Sequence, residues 1–167
     1  EIVFTEFYFV PHDYLRFWQE MQALREDIAR IDNYAAVNCI VGMILEKNAA
    51  LCHPYPTLKD KIDRYGYDNK QIHHILRCQE FLDRYIYGEF YKDCLIPKNK
   101  NYLLEVKATY KFDLDTAKAL AKDSVEYAKF VKKEYCDSHE RVVNTKLCEY
   151  IDAIMVDVLV GYWRDFN

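Results

Sequence analysis

The sequence predicts a mainly helical protein, an irregular bundle of about five to six helices with one N-terminal β-strand. Three observations lead there. The chain of 167 residues holds only four Gly and four Pro, too few tight-turn formers for most β-sandwiches and barrels. Its residues are 51% apolar and 16% aromatic, far more than a disordered chain carries and enough for a sizeable core. Beyond residue 13 the apolar positions recur at helical spacing. No apolar run approaches the roughly 20 residues of a membrane-spanning helix.

Taken in order, residues 2–10 (IVFTEFYFV) are almost all β-branched or aromatic, and Pro11 follows. This pattern predicts a strand buried on both faces. A lone strand leaves its backbone groups unpaired, so residues 1–10 are expected to join a sheet outside this chain or to meet a partner protein by β-augmentation. Residues 11–167 then form a single helical domain. Asp13 is the expected N-cap of a helix to about Ile31, and Asp32 or Asn33 caps the next, which runs to Leu51. That second helix is apolar nearly all round and is expected in the middle of the core. His53-Pro54-Tyr55-Pro56 breaks the chain. A short amphipathic turn or helix spans 58–65, Gly66 supplies a positive-φ stop, and Asp68 caps a helix that ends at Gly88. Residues 102–109 fit helix or strand, and two long helices over 112–136 and 142–163 close the chain.

The six Cys, at 39, 52, 78, 94, 136 and 148, include no Cys-x-x-Cys pair. Mostly buried free thiols in a reducing, cytoplasmic setting are the expected state, rather than a zinc ribbon or a disulfide framework. His73 and His74 are adjacent and point about 100° apart on a helix, which disfavours a shared metal ion. No Gly-rich phosphate loop is present.

The charge is uneven. Formal net charge is -4 from 23 basic and 27 acidic residues, yet residues 58–77 hold five basic and three acidic ones. On a helix from Asp68, the side chains of Lys70, His74 and Arg77 share a stripe opposite the apolar face, with His73 at its edge. Such a stripe suits phosphate or another anion. Lys59 lies in the same basic segment. Lys47, inside an apolar helix, either joins that site or pairs internally with Glu46. Two readings of the stripe are open here: an anion site, or a solvated face paired with acids from neighbouring helices.

The run YGYDNKQIHHILR, with LKDKIDR before it and CQEFLDRYIYGE and CLIPKN after it, resembles the C-terminal helical part of bacterial and phage DNA polymerase β-like nucleotidyltransferases. The likeness extends upstream through LREDIARIDNYAAVNCIVGMILEKNAALCHPYP and weakens after about Cys136. It implies a catalytic sheet module preceding Glu1, with a Gly-Ser signature and Asp pairs that hold Mg²⁺. This chain has no Gly-Ser, and Asp113-Leu114-Asp115 stands where a helix begins, so capping explains it better. The resemblance further implies a nucleoside triphosphate as ligand and an acceptor that is a small molecule, protein or nucleic acid, with no membrane partner. Lys70, His74, Arg77, His73, Lys47 and Lys59 would hold phosphate, and none would be the catalyst. The alternative function is a non-catalytic adaptor or anion-binding regulatory module.

Overall fold

The computed structural model describes residues 2–6 and 8–165. In chain order the helices are α1 (Leu15–Ala23), α2 (Arg25–Ala29), α3 (Asn33–Ala50), α4 (Lys59–Tyr65), α5 (Asn69–Ile86), α6 (Tyr91–Cys94), α7 (Lys100–Ala108), α8 (Leu114–Ser138) and α9 (Thr145–Asp165). The described residues thus form nine helices, where five to six were expected, and no strand. The chain divides into two compact units, one of Glu1–Asn33 with Arg141–Asn167 and one of Tyr34–Glu140.

The N-terminal strand is the main correction. Residues 2–4 make one 3₁₀ turn, residues 8–10 have no regular structure, and Phe7 lies outside the described residues. High β-propensity alone does not make a strand, because its hydrogen bonds need a neighbouring strand. The described residues offer only one isolated bridge, between Asp32 and Val143. Instead, the Thr5 carbonyl accepts a hydrogen bond from Gln22 Nε2 at 3.1 Å.

In the first unit, Asp13 sits in a 3₁₀ turn (His12–Tyr14) and does not cap a long helix; the helical segment breaks at Leu24 into α1 and α2. Asp32 accepts from both Arg141 Nη2 (2.6 Å) and Nε (3.1 Å), and Asn144 N donates to the Ile31 carbonyl at 2.9 Å. These contacts join the distant chain segments of this unit, and α9 packs on α1.

In the second unit α5 packs on α6, α7 and α8. Val37, Ile40, Val41 and Ile44 of α3 join Ile72, Ile75, Leu82 and Tyr85 of α5 in one core with the small residues Ala117, Ala121 and Ala128 of α8. Although α3 is apolar nearly all round, one face only is buried; Met43 and Leu45 are exposed. All six cysteines are free, but Cys94 alone is buried. No helix among the described residues is long and apolar enough to cross a membrane.

The segment Tyr65-Gly66-Tyr67-Asp68-Asn69 positions everything around α5. Gly66 takes φ +79°, and a Cβ there would lie 2.8 Å from Leu114 Cδ2. Tyr65 stacks on Tyr110 with ring centroids 3.5 Å apart. Tyr67 is buried and its hydroxyl donates to the Phe112 carbonyl at 2.8 Å. Asp68, also buried, receives Lys70 N at 3.2 Å and Gln71 Nε2 at 3.0 Å, while its own N–H donates to the Leu51 carbonyl at 2.9 Å. Asn69 Nδ2 donates to the carbonyls of Lys107 (2.8 Å) and Thr109 (3.2 Å). One turn therefore grips the end of α3, the end of α7 and the approach to α8. Asp113 caps α8 by accepting from Thr116 N at 2.7 Å, as its place before a helical pattern suggests.

Two predictions follow from these contacts. Gly66→Ala forces a left-handed residue against Leu114, and Asn69→Ala strands two carbonyls, so each is expected to lower unfolding free energy by about 1–3 kcal/mol. Urea unfolding checks this; an unshifted midpoint in both variants contradicts it. The second concerns alkali. Burial raises the pKa of Tyr67 and Tyr110, and the hydrogen bond to Asp83 holds Tyr127 at about 12. A phenol with a raised folded pKa stabilises fully below the unfolded value of about 10, and that stability is lost as pH rises toward 12. Melting temperature should therefore fall between pH 10 and 12, and Tyr127→Phe should soften the fall.

Candidate functional site

The stripe on α5 forms as its spacing requires. Lys70, His74 and Arg77 follow at intervals of four and three residues, Lys70 exposed and the other two half-buried. His73 turns further inward and is 8% exposed. The two imidazole rings meet edge-on with centroids 5.2 Å apart.

Two more cations arrive from other helices. Burial lowers the pKa of His74 first, and the positive charges of Lys70, Lys47, Arg77 and Lys107 lower it further. His73 is held down to about 4, first by burial and then by His74, Lys107, Arg77 and Lys70. Lys47 thus reaches the stripe from α3 and Lys107 from the last turn of α7. Burial and the surrounding cations thus favour the neutral form of both imidazoles, with Lys70, Arg77 and Lys107 acting on both rings and Lys47 on His74.

The groups have few local partners. Lys47 Nζ lies 2.7 Å from Glu46 Oε1 in a pair at the surface rather than inside the core, and Lys47 also acts on His74 of the stripe. Arg77 Nη2 donates to the Leu95 carbonyl at 3.4 Å. Among the described residues no carboxylate pairs with Lys70, Arg77 or Lys107. His73 Nδ1 is buried and without a hydrogen-bond partner, a rare state for a buried polar atom. Lys59 is exposed on α4 and is not among the charges acting on His73 or His74.

The geometry explains what the spacing rules could and could not find. Lys107 was not among the expected site residues, because it lies far from α5 in sequence. Its position is fixed by Asn69, whose amide holds the Lys107 carbonyl. A basic residue in the last turn of a helix also suits the helix dipole, a signal that marks no particular partner.

Chemically, such a group is suited to an anion. Ammonium and guanidinium groups neutralise phosphate oxygens through charge-assisted hydrogen bonds, and neutral imidazoles donate or accept alongside them. No cluster of three or more His, Cys, Asp or Glu able to hold a metal occurs among the described residues. Comparison of the chain with protein-family models, curated proteins and solved structures gave no match.

The depressed histidines carry a stability consequence. The unfolded chain takes up protons near pH 6.5 and the folded one only near pH 4 for His73, so their contribution is complete above 6.5 and lost as pH falls through that window. Unfolding free energies from urea titrations at pH 7.5 and 5 should differ by about 1–2 kcal/mol more in the wild type than in His73→Phe. Equal pH slopes would show that His73 is not held neutral.

Proposed function

We propose that the second unit holds a phosphate chain on the basic stripe of α5, and that its ligand is the triphosphate of a nucleotide. The observation that carries this is the convergence of Lys70, Arg77 and Lys107 on His73 and His74, with Lys47 beside His74 and, among the described residues, no carboxylate paired to Lys70, Arg77 or Lys107. From Lys70 to Arg77 the helix rises about 10 Å, a reach that suits a run of phosphates better than a single one. The likeness of this segment to the helical part of DNA polymerase β-like nucleotidyltransferases points the same way. In such an enzyme a nucleoside monophosphate moves onto an acceptor hydroxyl or phosphate. The residues described here orient and neutralise the triphosphate and carry out no bond-making themselves. The described residues offer no ligand set that fits Mg²⁺, so no step is assigned to it on this chain.

Titration calorimetry at pH 7.5 with ATP, Mg-ATP and inorganic tripolyphosphate tests the reading. Lys70→Ala, Arg77→Ala and Lys107→Ala are each expected to weaken binding roughly tenfold, about 1.4 kcal/mol, while Lys59→Ala leaves it unchanged. A bound anion raises the pKa of His74, so binding should tighten from pH 8 to pH 6 with proton uptake. Tripolyphosphate binding without any gain from the nucleoside would favour the regulatory anion-binding module. No binding, or binding indifferent to these variants, contradicts the proposal.

A further inference from the structure

On the other flank of α3 lies a second arrangement that the phosphate site does not use. α3 and α8 border an open groove of about 550 Å³, within the range of roughly 300–1,000 Å³ typical of small-molecule sites. Tyr34, Asn38, Val41 and Leu45 line it from α3 at intervals of four, three and four residues, a single stripe. Leu45 is about 200° around α3 from Lys47, so this groove and the phosphate stripe use opposite sides of that helix. From Tyr34 to Leu45 the stripe is about 16 Å long.

The opposing wall on α8 is cationic. Lys129, Lys132 and Lys133 share it with Cys136 and Asp137. Among the described residues none of the three lysines pairs with a carboxylate, and Asp137 is the only acid in the lining. Three like charges within five residues repel one another, and an anion between them relieves that repulsion. The facing wall supplies what a simple anion does not need: Leu45 presents its side chain at 36% exposure and Tyr34 lines the other end of the stripe, with Val41 buried beneath and the Asn38 amide turned to the Tyr34 carbonyl at 2.8 Å. A cationic wall facing an apolar one matches a ligand with a charged head and a greasy body.

We propose that the α3–α8 groove is a binding site for an amphipathic carboxylate with an unbranched tail of about ten carbons. The head sits among Lys129, Lys132 and Lys133, and the tail lies along the stripe from Leu45 toward Tyr34. Lysine stems add apolar area beneath the head while their ammonium groups stay at its oxygens.

Decanoate is the probe, titrated below its micelle concentration into the full ¹⁵N-labelled chain, with acetate, decyltrimethylammonium and tripolyphosphate as comparisons. Decanoate is expected to shift amides of residues 34–45 and 129–137, and to bind at least tenfold more tightly than acetate or the cationic amphiphile. The double variant Lys132→Glu/Lys133→Glu should lose at least tenfold of that affinity with its melting temperature unchanged, and Leu45→Asn should weaken decanoate but not acetate. Equal binding of the two amphiphiles, equal binding of acetate, or shifts confined to other segments would overturn the proposal. Tripolyphosphate shifting this groove as strongly as decanoate would also overturn it, whereas failure of tripolyphosphate at Lys70 and Arg77 would leave this groove untouched.

Discussion

The second unit depends on a buried polar junction at the start of α5. Asp68 and Asn69 are almost wholly removed from water, which is unfavourable unless their hydrogen-bonding groups are matched. Asp68 is matched by its own helix, through Lys70 N and Gln71 Nε2, and its N–H is matched by Leu51 at the end of α3. Asn69 is matched by the last carbonyls of α7, which a helix end otherwise leaves orphaned. Each partner satisfies the other, so α3, α5 and α7 meet in one register. The left-handed Gly66, seated against Leu114, is the only kind of residue that turns the chain into this junction without strain.

That register has an electrostatic consequence. Lys47 reaches the stripe from α3 and Lys107 from α7, the two helices that the junction fixes against α5. The cations of three helices then act on His73 and His74, whose burial already disfavours their charged forms. Concentrating positive charge in this way is costly in the empty site and favourable once an anion arrives. A protein whose overall charge is negative keeps such a group local, which suits a compact ligand better than a long nucleic-acid duplex. The phosphate reading and the architecture thus share one cause.

Much of α5 could be read in advance. Its N-cap at Asp68, its stop before Gly88 and the common stripe of Lys70, His74 and Arg77 follow from capping preference and a period of 3.6. Lys47 was legible as a charge in an apolar helix that needed a reason. The rest depended on contacts between distant segments. Residues 102–109 fitted helix or strand equally, so Lys107 had no face to be assigned to. Lys59 is near Lys70 in sequence, but the turn at Gly66 separates their helices. The strand over 2–10 was inferred from side chains, whereas a strand's existence is decided by its neighbours. The string YGYDN was legible as a turn at Gly66 and a cap at Asp68, but the architectural parts of Tyr67 and Asn69, whose side chains are buried and bonded to distant carbonyls, were not. In α3 the apolar residues on all sides gave no clue that one face stays open beside the lysines of α8.

The most direct measurement is the NMR titration of the His74 Cε1–H in the free protein, in Lys107→Met and in the presence of tripolyphosphate. Convergence of the cations predicts a His74 pKa below 6.5 in the free protein, a rise when Lys107 is removed and a larger rise when the anion binds. A pKa at or above 6.5 that responds to neither change would contradict it.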